Sequence, residues 1–123
     1  MRKYKIFLAK VGYENSNDSK VRPILVLKKI GNTIIARPIT TKEPRNNYPG
    51  EYRVKDIKTA GLPKPSVIRM SKHLFVNSSD VYRQLGELSI EDAKNVEKLE
   101  NTPYKESYNP DDVIDEFLYN YIK

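Results

Sequence analysis

Two arginine-proline pairs, Arg22-Pro23 and Arg37-Pro38, are the first groups in this chain that could do chemistry. Proline steers the residue before it into extended backbone, so each arginine is held out from a stiffened segment. A guanidinium stays charged at any working pH and matches two phosphate oxygens at once. Thr40 and Thr41 follow the second pair, and a threonine hydroxyl can donate to the same kind of oxygen. Arg69 is a third cation, inside the apolar stretch Ser66 to Met70. Cations and hydroxyls at strand ends fit an anion site at the mouth of a small barrel. The plainer alternative is a core hairpin with solvated ends.

The elements that must position these residues follow from the pattern around them. Ile24 to Leu27 and Ile34 to Ala36 are apolar runs separated by Gly31-Asn32, which predicts an antiparallel hairpin with an Arg-Pro pair at one end of each strand. Tyr4 to Tyr13 predicts a first strand, with Tyr4, Ile6 and Leu8 on one face and Phe7, Ala9 and Val11 on the other. Glu14 to Lys20 is a polar loop beside Arg22, either a plain connection or a flap over a ligand. Residues 42–65 are mostly polar and proline-rich, with one short strand at Glu51 to Lys55. There Tyr48 and Tyr52 are interleaved with Arg45, Arg53, Lys55 and Lys58. Aromatics among cations suit single-stranded nucleic acid, whose bases stack and whose phosphates pair. Tyrosines also anchor long loops to a sheet, and both readings stay open. Leu74 to Val76 continues an apolar register past His73, the one histidine.

Two helices are expected at the C-terminal end. The first opens at Ser89 with Asp92 three positions on, as in a capping box, and its stripe is Ile90, Ala93, Val96 and Leu99. The second begins at Asn109-Pro110-Asp111-Asp112, with Val113, Ile114, Phe117, Leu118, Tyr121 and Ile122 at helical spacing. The expected architecture is mainly β: a small, strongly bent antiparallel sheet closing as a barrel, followed by two helices. Residues 1–100 read as the barrel with its closing helix, and residues 101–123 as a linker and an acidic amphipathic helix.

With 123 residues the chain is long enough for one domain with a real core. It has no cysteine, which excludes disulfides and thiolate metal sites. With one histidine, a metal centre would need carboxylates almost alone, so neither metal nor cofactor is expected. No apolar stretch reaches membrane-spanning length and the N-terminus lacks the apolar run of a signal peptide, so the expected location is cytoplasmic. Residues 1–75 carry a balance of +12 and residues 76–123 a balance of −6. A basic body of this kind suits a polyanion such as RNA or DNA.

Laid out in this way, the chain resembles the MazF/PemK family of toxin ribonucleases. The resemblance lies in Val21-Arg22-Pro23-Ile24-Leu25-Val26-Leu27, in Ile34-Ile35-Ala36-Arg37-Pro38-Ile39-Thr40, in Ser66-Val67-Ile68-Arg69 and in Leu85-Gly86-Glu87-Leu88-Ser89, four segments in the family's order. It implies an SH3-like barrel, usually homodimeric, that cuts single-stranded RNA without a metal and leaves a 2′,3′-cyclic phosphate, and whose partner is a cognate antitoxin. By position it implies that Arg22 stabilises the transition-state phosphate, that Thr40 is the active-site threonine and that Arg69 does acid or electrostatic work. Lys20, Arg37, Thr41, Arg45, Tyr48, Tyr52 and Arg53 are the candidates for RNA binding around them. Two segments depart from the pattern. Lys3-Tyr4-Lys5 replaces an Arg-Gly-Asp turn, and Ser71 stands where some members carry an aspartate. The general base is then Glu14, Asp18 or His73.

The resemblance leaves residues 101–123 uncovered. They either pad the barrel or extend a dimer, or their acids Asp111, Asp112, Asp115 and Glu116 imitate an antitoxin in the RNA groove. Two alternatives to the nuclease are a non-catalytic RNA-binding barrel and a gyrase-poisoning toxin of the same fold. The killing helix of the gyrase type ends in a tryptophan, which this chain lacks.

Overall fold

A computed structural model describes residues 3–12, 19–41 and 50–100. The central hairpin is β2 (Ser19–Ile30) and β3 (Thr33–Thr40), joined by Gly31-Asn32. Of the two turn residues only Gly31 uses positive φ, at 58°, a conformation that costs a residue without Cβ nothing. Both strands run longer than their apolar runs, and each carries its proline inside rather than at its end. The ladder explains how. Pro23 lies one residue beyond the last β2–β3 pair, Ile24↔Pro38. Pro38 lies between two separate partners on the other edge of β3. In both places a missing N–H removes no ladder bond on that edge.

Those two partners are β5 (Val67–Arg69), pairing at Ile39 and Thr40, and β6 (Leu74–Asn77), pairing from Thr33 to Ala36. β1 (Lys5–Gly12) lies on the far side of β2, and β7 (Val81–Glu87) lies on β1. β4 (Glu51–Arg53) pairs with β5 and ends the path β4-β5-β3-β2-β1-β7. Among the described residues the sheet has seven strands, all pairs antiparallel.

The expected barrel does not close by hydrogen bonds, since among the described residues no ladder joins β4 to β7. A short helix, α1 (Ile57–Ala60), fills that gap. Its C-terminal Gly61 and Gly86 of β7 approach so closely that a Cβ on Gly61 would lie 2.0 Å from the Leu85 carbonyl oxygen, and one on Gly86 2.5 Å from Ala60. Two glycines therefore let helix backbone rest on strand backbone where a ladder would otherwise run. Neither α1 nor β7 is foreseen from the sequence. Four helical residues bounded by Gly61 and Pro63 show no helical period, and β7 mixes exposed and half-buried positions without a clean alternation.

α2 (Ile90–Glu100) packs on the sheet through Ala93 and Val96, both buried, with Leu99 beside them. The predicted cap is present: Ser89 Oγ accepts from the Asp92 N–H and donates to Asp92 Oδ2, both at 3.1 Å. The predicted stripe shifts, because Ile90 is 68% exposed. At 100° per residue Ile90 lies about 120° from Val96 around the helix, and Asp92 takes the buried position instead. The predicted second helix lies outside the described residues.

The alternation read in the first strand holds for Tyr4, Ile6, Phe7, Ala9 and Val11. Tyr4 and Ile6 join Leu25, Ile39, Ile68, Met70 and α2 in one core cluster. Phe7, Ala9 and Val11 join Ile24, Ile34, Ala36 and Val76 in the other. These clusters define two faces of the strands, and the functional question is which arginine lies on which.

Candidate functional site

The register answers it. Arg22 pairs with Ala9 of β1 and so shares the face of Ile24. The β2–β3 register is last seen at Ile24↔Pro38, and two further residues set Arg22 opposite Thr40. Thr40 in turn pairs with Val67 of β5, and Val67 with Arg53 of β4. One row across four strands therefore reads Arg22, Thr40, Val67, Arg53. The next row reads Ile24, Pro38, Arg69, Glu51, since Ile39↔Ile68 extended by one residue sets Pro38 beside Arg69, which pairs with Glu51. Adjacent strands are ~4.8 Å apart, so Arg22 and Thr40 are immediate neighbours and Arg69 lies one row and two strands away, roughly 12 Å between backbones.

Buried Ile24, Pro38 and Val67 form the floor of this patch, while Arg22, Thr40 and Arg69 are half-buried and Arg53 is exposed. Lys20, on the same parity as Arg22, is exposed at the near edge. Thr41 follows β3 and is exposed. Glu51 is the one acid in these two rows. Its carboxylate meets Arg69 Nε at 3.5 Å, and its side chain is 3% exposed against 19% for Arg69. Sequence reasoning missed Glu51. The only signal was an acid two residues before Arg53 in a predicted strand, which alternation places on the cations' face.

Arg37 goes the other way. It pairs with Leu25 and points into the opposite cluster, 7% exposed. Its Nη1 donates to the carbonyls of Met70 and, at 3.0 Å, Lys72, and its Nε meets Glu100 of α2 at 3.2 Å. β3 has no strand partner at residue 37 on that edge, because β5 has ended and β6 has not begun. The guanidinium fills this interval, fastening the turn between β5 and β6 and the end of α2. Tyr4 donates to the same Glu100 at 3.4 Å. His73 sits in that turn. Burial and, next, the nearby Arg37 push its pKa below the usual value, with Glu100 pulling weakly the other way. Its Nδ1 is buried with no hydrogen-bond partner among the described residues. His73 is therefore neutral near pH 7 and on the face away from Arg22.

Tyr52 also points away from the two rows. Its hydroxyl donates to Asp92 and accepts from Asn95 of α2 at 3.1 Å. Asp92, fully buried, also accepts from the N–H groups of Lys55 at 3.0 Å and Asp56 at 2.9 Å. Burial alone would raise its pKa, but the bonds from Tyr52, Asp56, Lys55 and Ser89 outweigh that and hold it below the ordinary value. Tyr52 is pushed up to about 12, first by burial and then by its bond to Asp92. This hub pins β4 to α2, so Glu51 and Arg53 project from a fixed strand. Glu14, Asp18, Arg45 and Tyr48 lie outside the described residues.

Among the described residues no group of three or more His, Cys, Asp or Glu could hold a metal ion, and no helix is long and apolar enough to cross a membrane.

Solved structures of known proteins share the fold. The Mycobacterium tuberculosis toxin MazF-mt6 is 21% identical with a TM-score of 0.58, the match covering 76% of this chain and 91% of that one. A second Mtb toxin is 24% identical at a TM-score of 0.54, covering 64% and 88%. An endoribonuclease from a mycobacterial species, solved in complex with its cognate antitoxin, is 12% identical at 0.58, covering 78% and 86%. A search of curated protein sequences gives no match. The family model for the PemK-like, MazF-like toxins of type II toxin-antitoxin systems matches residues 2–99. Most of the chain lies within that match, and the protein belongs to this toxin family.

Proposed function

We propose that this toxin is an endoribonuclease that cuts single-stranded RNA, mRNA in the cell, at short sequences without a metal-dependent step. The observation that carries the reading is the row in which Arg22 and Thr40 stand on adjacent strands of one face, with Arg69 in the next row. An RNA phosphate on this face meets permanent cations from β2 and β5 and a hydroxyl from β3. A base takes the proton of the 2′-hydroxyl, and the 2′ oxygen bonds to phosphorus. The bond from phosphorus to the 5′ oxygen breaks, and that oxygen leaves with a proton. The products are a 2′,3′-cyclic phosphate and a 5′-hydroxyl. Negative charge on the non-bridging oxygens grows towards the transition state, where fixed guanidinium groups act most strongly. Thr40 donates to one of those oxygens or orients the attacking hydroxyl.

We assign the base to Glu14 or Asp18, because residues 13–18 join the ends of β1 and β2 three residue pairs from Arg22. Lys20, Thr41 and Arg53 are assigned to the RNA backbone on the same face, with Arg45 and Tyr48 in the connection from β3 to β4. Arg37 is left out of this set, since its guanidinium is committed to the opposite core. A cognate antitoxin that covers the basic face is the proposed protein partner, supported by the mycobacterial relative solved with its own. The proposed working form is a homodimer in the cytoplasm.

The test is purified protein with a long single-stranded RNA in EDTA, wild type against Arg22→Ala and Thr40→Ala. Discrete cuts with cyclic-phosphate ends, lost in both variants, are expected. RNA that is bound but never cut would replace the nuclease with an RNA-binding barrel.

A further inference from the structure

The face that carries Arg37 continues past the end of α2. Two residues from Arg37 on that face of β3 lies Ile35, opposite Phe75 of β6 and Lys28 of β2. Ile35 is half-buried and Phe75 is 37% exposed, and neither joins the two core clusters of the described residues. Leu27 adjoins them at the β2 register shift and itself packs on the cluster beneath α2. Leu27, Ile35 and Phe75 thus form an apolar strip across three strands that extends this core. We propose that residues 109–122 form a helix that lies on the strip, a covering layer of the fold on the face away from Arg22 and Thr40. This placement is independent of the ribonuclease reading.

The exit of the chain favours this occupant first. Glu100, the last residue of α2, is held by Arg37 Nε at 3.2 Å and by the Tyr4 hydroxyl at 3.4 Å. The chain therefore leaves α2 beside the strip. Residues 101–108 span up to about 27 Å when extended, while Ile35 is only ~7 Å from Arg37 along β3. The face of Arg22 and Thr40 is reached from Glu100 only round an edge of the sheet. The apolar pattern is the second support. At 100° per residue Val113, Ile114, Phe117, Leu118 and Tyr121 fall within about 140° of a helix. Such a stripe needs an apolar surface to cover it, since a helix this short is marginal alone in water. Charge is the third. Residues 101–123 carry five acids and two lysines, and Asp111 and Asp115 border the stripe. Lys28 shares the row of Ile35, and Lys72 lies in the turn that Arg37 fastens, both half-buried. Pairs between these borders add little energy but favour this seat over an acidic one.

The chain has no cysteine, so an introduced pair reports only its own contact. In the full chain, Phe75→Cys with Phe117→Cys is compared with Arg22→Cys with Phe117→Cys. Each is oxidised in a glutathione buffer and read by non-reducing electrophoresis and peptide mass. The pair at 75 and 117 is expected to close within one chain, about 100-fold faster than the pair at 22 and 117. Hydrogen exchange is followed in the cysteine-free wild type and in the double variant Phe117→Asp, Leu118→Asp, whose substitutions lie outside the sheet and α2. Exchange over residues 109–122 is expected to be about 10- to 100-fold slower in wild type than in the double variant. Residues 74–76 are expected to exchange faster in the double variant, while the rest of the sheet is unchanged.

Faster closure of the pair at 22 and 117 would overturn this placement and set the acidic segment over the cation face. Disulfides formed mainly between two chains would overturn it in favour of a contact between copies. Equal exchange over residues 109–122 in wild type and double variant would also overturn it, leaving that segment without a seat on the sheet.

Discussion

Arg22-Pro23 and Arg37-Pro38 are the same dipeptide on neighbouring strands of one hairpin, and they meet opposite fates. Arg22 lies with Thr40 on the half-open face that also carries Arg53, Arg69 and Glu51. Arg37 lies beneath the sheet, bound to two turn carbonyls and to Glu100. Alternation along the strands sorts them. Arg22 falls in register with Ile24, and Arg37 with Leu25, whose side chains belong to different clusters. A guanidinium on the open face is half-buried and reaches solvent, and its removal is expected to leave the fold intact. One inside the core donates to the Met70 and Lys72 carbonyls and to Glu100, and its removal takes that donor from all three.

The strongest way to break this contrast is to delete each arginine in turn. Arg22→Ala is expected to lower RNA cleavage by about 10²- to 10³-fold with little change in melting temperature. Arg37→Ala is expected to cost about 3 kcal/mol of stability in a urea titration, because Glu100 and two carbonyls lose their donor inside the protein. At a temperature where that variant is folded, its cleavage should stay close to wild type. An Arg37→Ala protein that is stable but inactive would reverse the assignment of the two faces.

The core hub is next in size. Asp92→Ala is expected to cost about 2–3 kcal/mol, since Tyr52, Ser89 and the Lys55 and Asp56 N–H groups lose a charged acceptor. β4 should loosen with it, so kcat should fall in this variant even below its melting range. A stability loss with no change in kcat would separate the hub from the site.

The pH dependence of stability sharpens the same picture. The Asp92 pKa is lowered by folding, so its contribution is present above the ordinary carboxylate value of ~3.9 and is lost as pH falls through the depressed value. The Tyr52 pKa is raised to about 12, so its contribution is full below ~10 and is lost as pH rises towards about 12. Urea titrations of Tyr52→Phe against wild type across that alkaline window should show a flatter fall in the variant.

His73 gives the smallest effect on activity. It is on the Arg37 face, so His73→Gln should leave cleavage within about twofold and its pH–rate profile unmoved. Folding lowers the His73 pKa, so wild-type stability should decline as pH falls below ~6.5, and the variant should lose that decline. Cleavage abolished in His73→Gln would return this histidine to the list of candidate bases.

Much of this was legible from residue order. The hairpin turn, the two faces of the first strand, the Ser89 cap and the segments of the toxin family are all local patterns, set by backbone preference and alternation within a few residues. The cations and hydroxyl of the candidate site were legible too, because arginine, proline and threonine state their chemistry by type. What residue order left open is where a ladder begins and ends. The burial of Arg37 depends on β5 stopping and β6 starting beside it, strands more than 25 residues away in the chain. The partnership of Glu51 with Arg69 depends on how β4 registers against β5, and the hub at Asp92 on which side of α2 meets the sheet. The sheet's open edges, bridged by Gly61 against Gly86, follow from a backbone contact between residues 25 apart. Sequence alone determined the family and the kinds of groups available to it. Tertiary structure decided which arginine is buried in the core and which lies on the half-open face, because one residue of register exchanges the two faces of a strand.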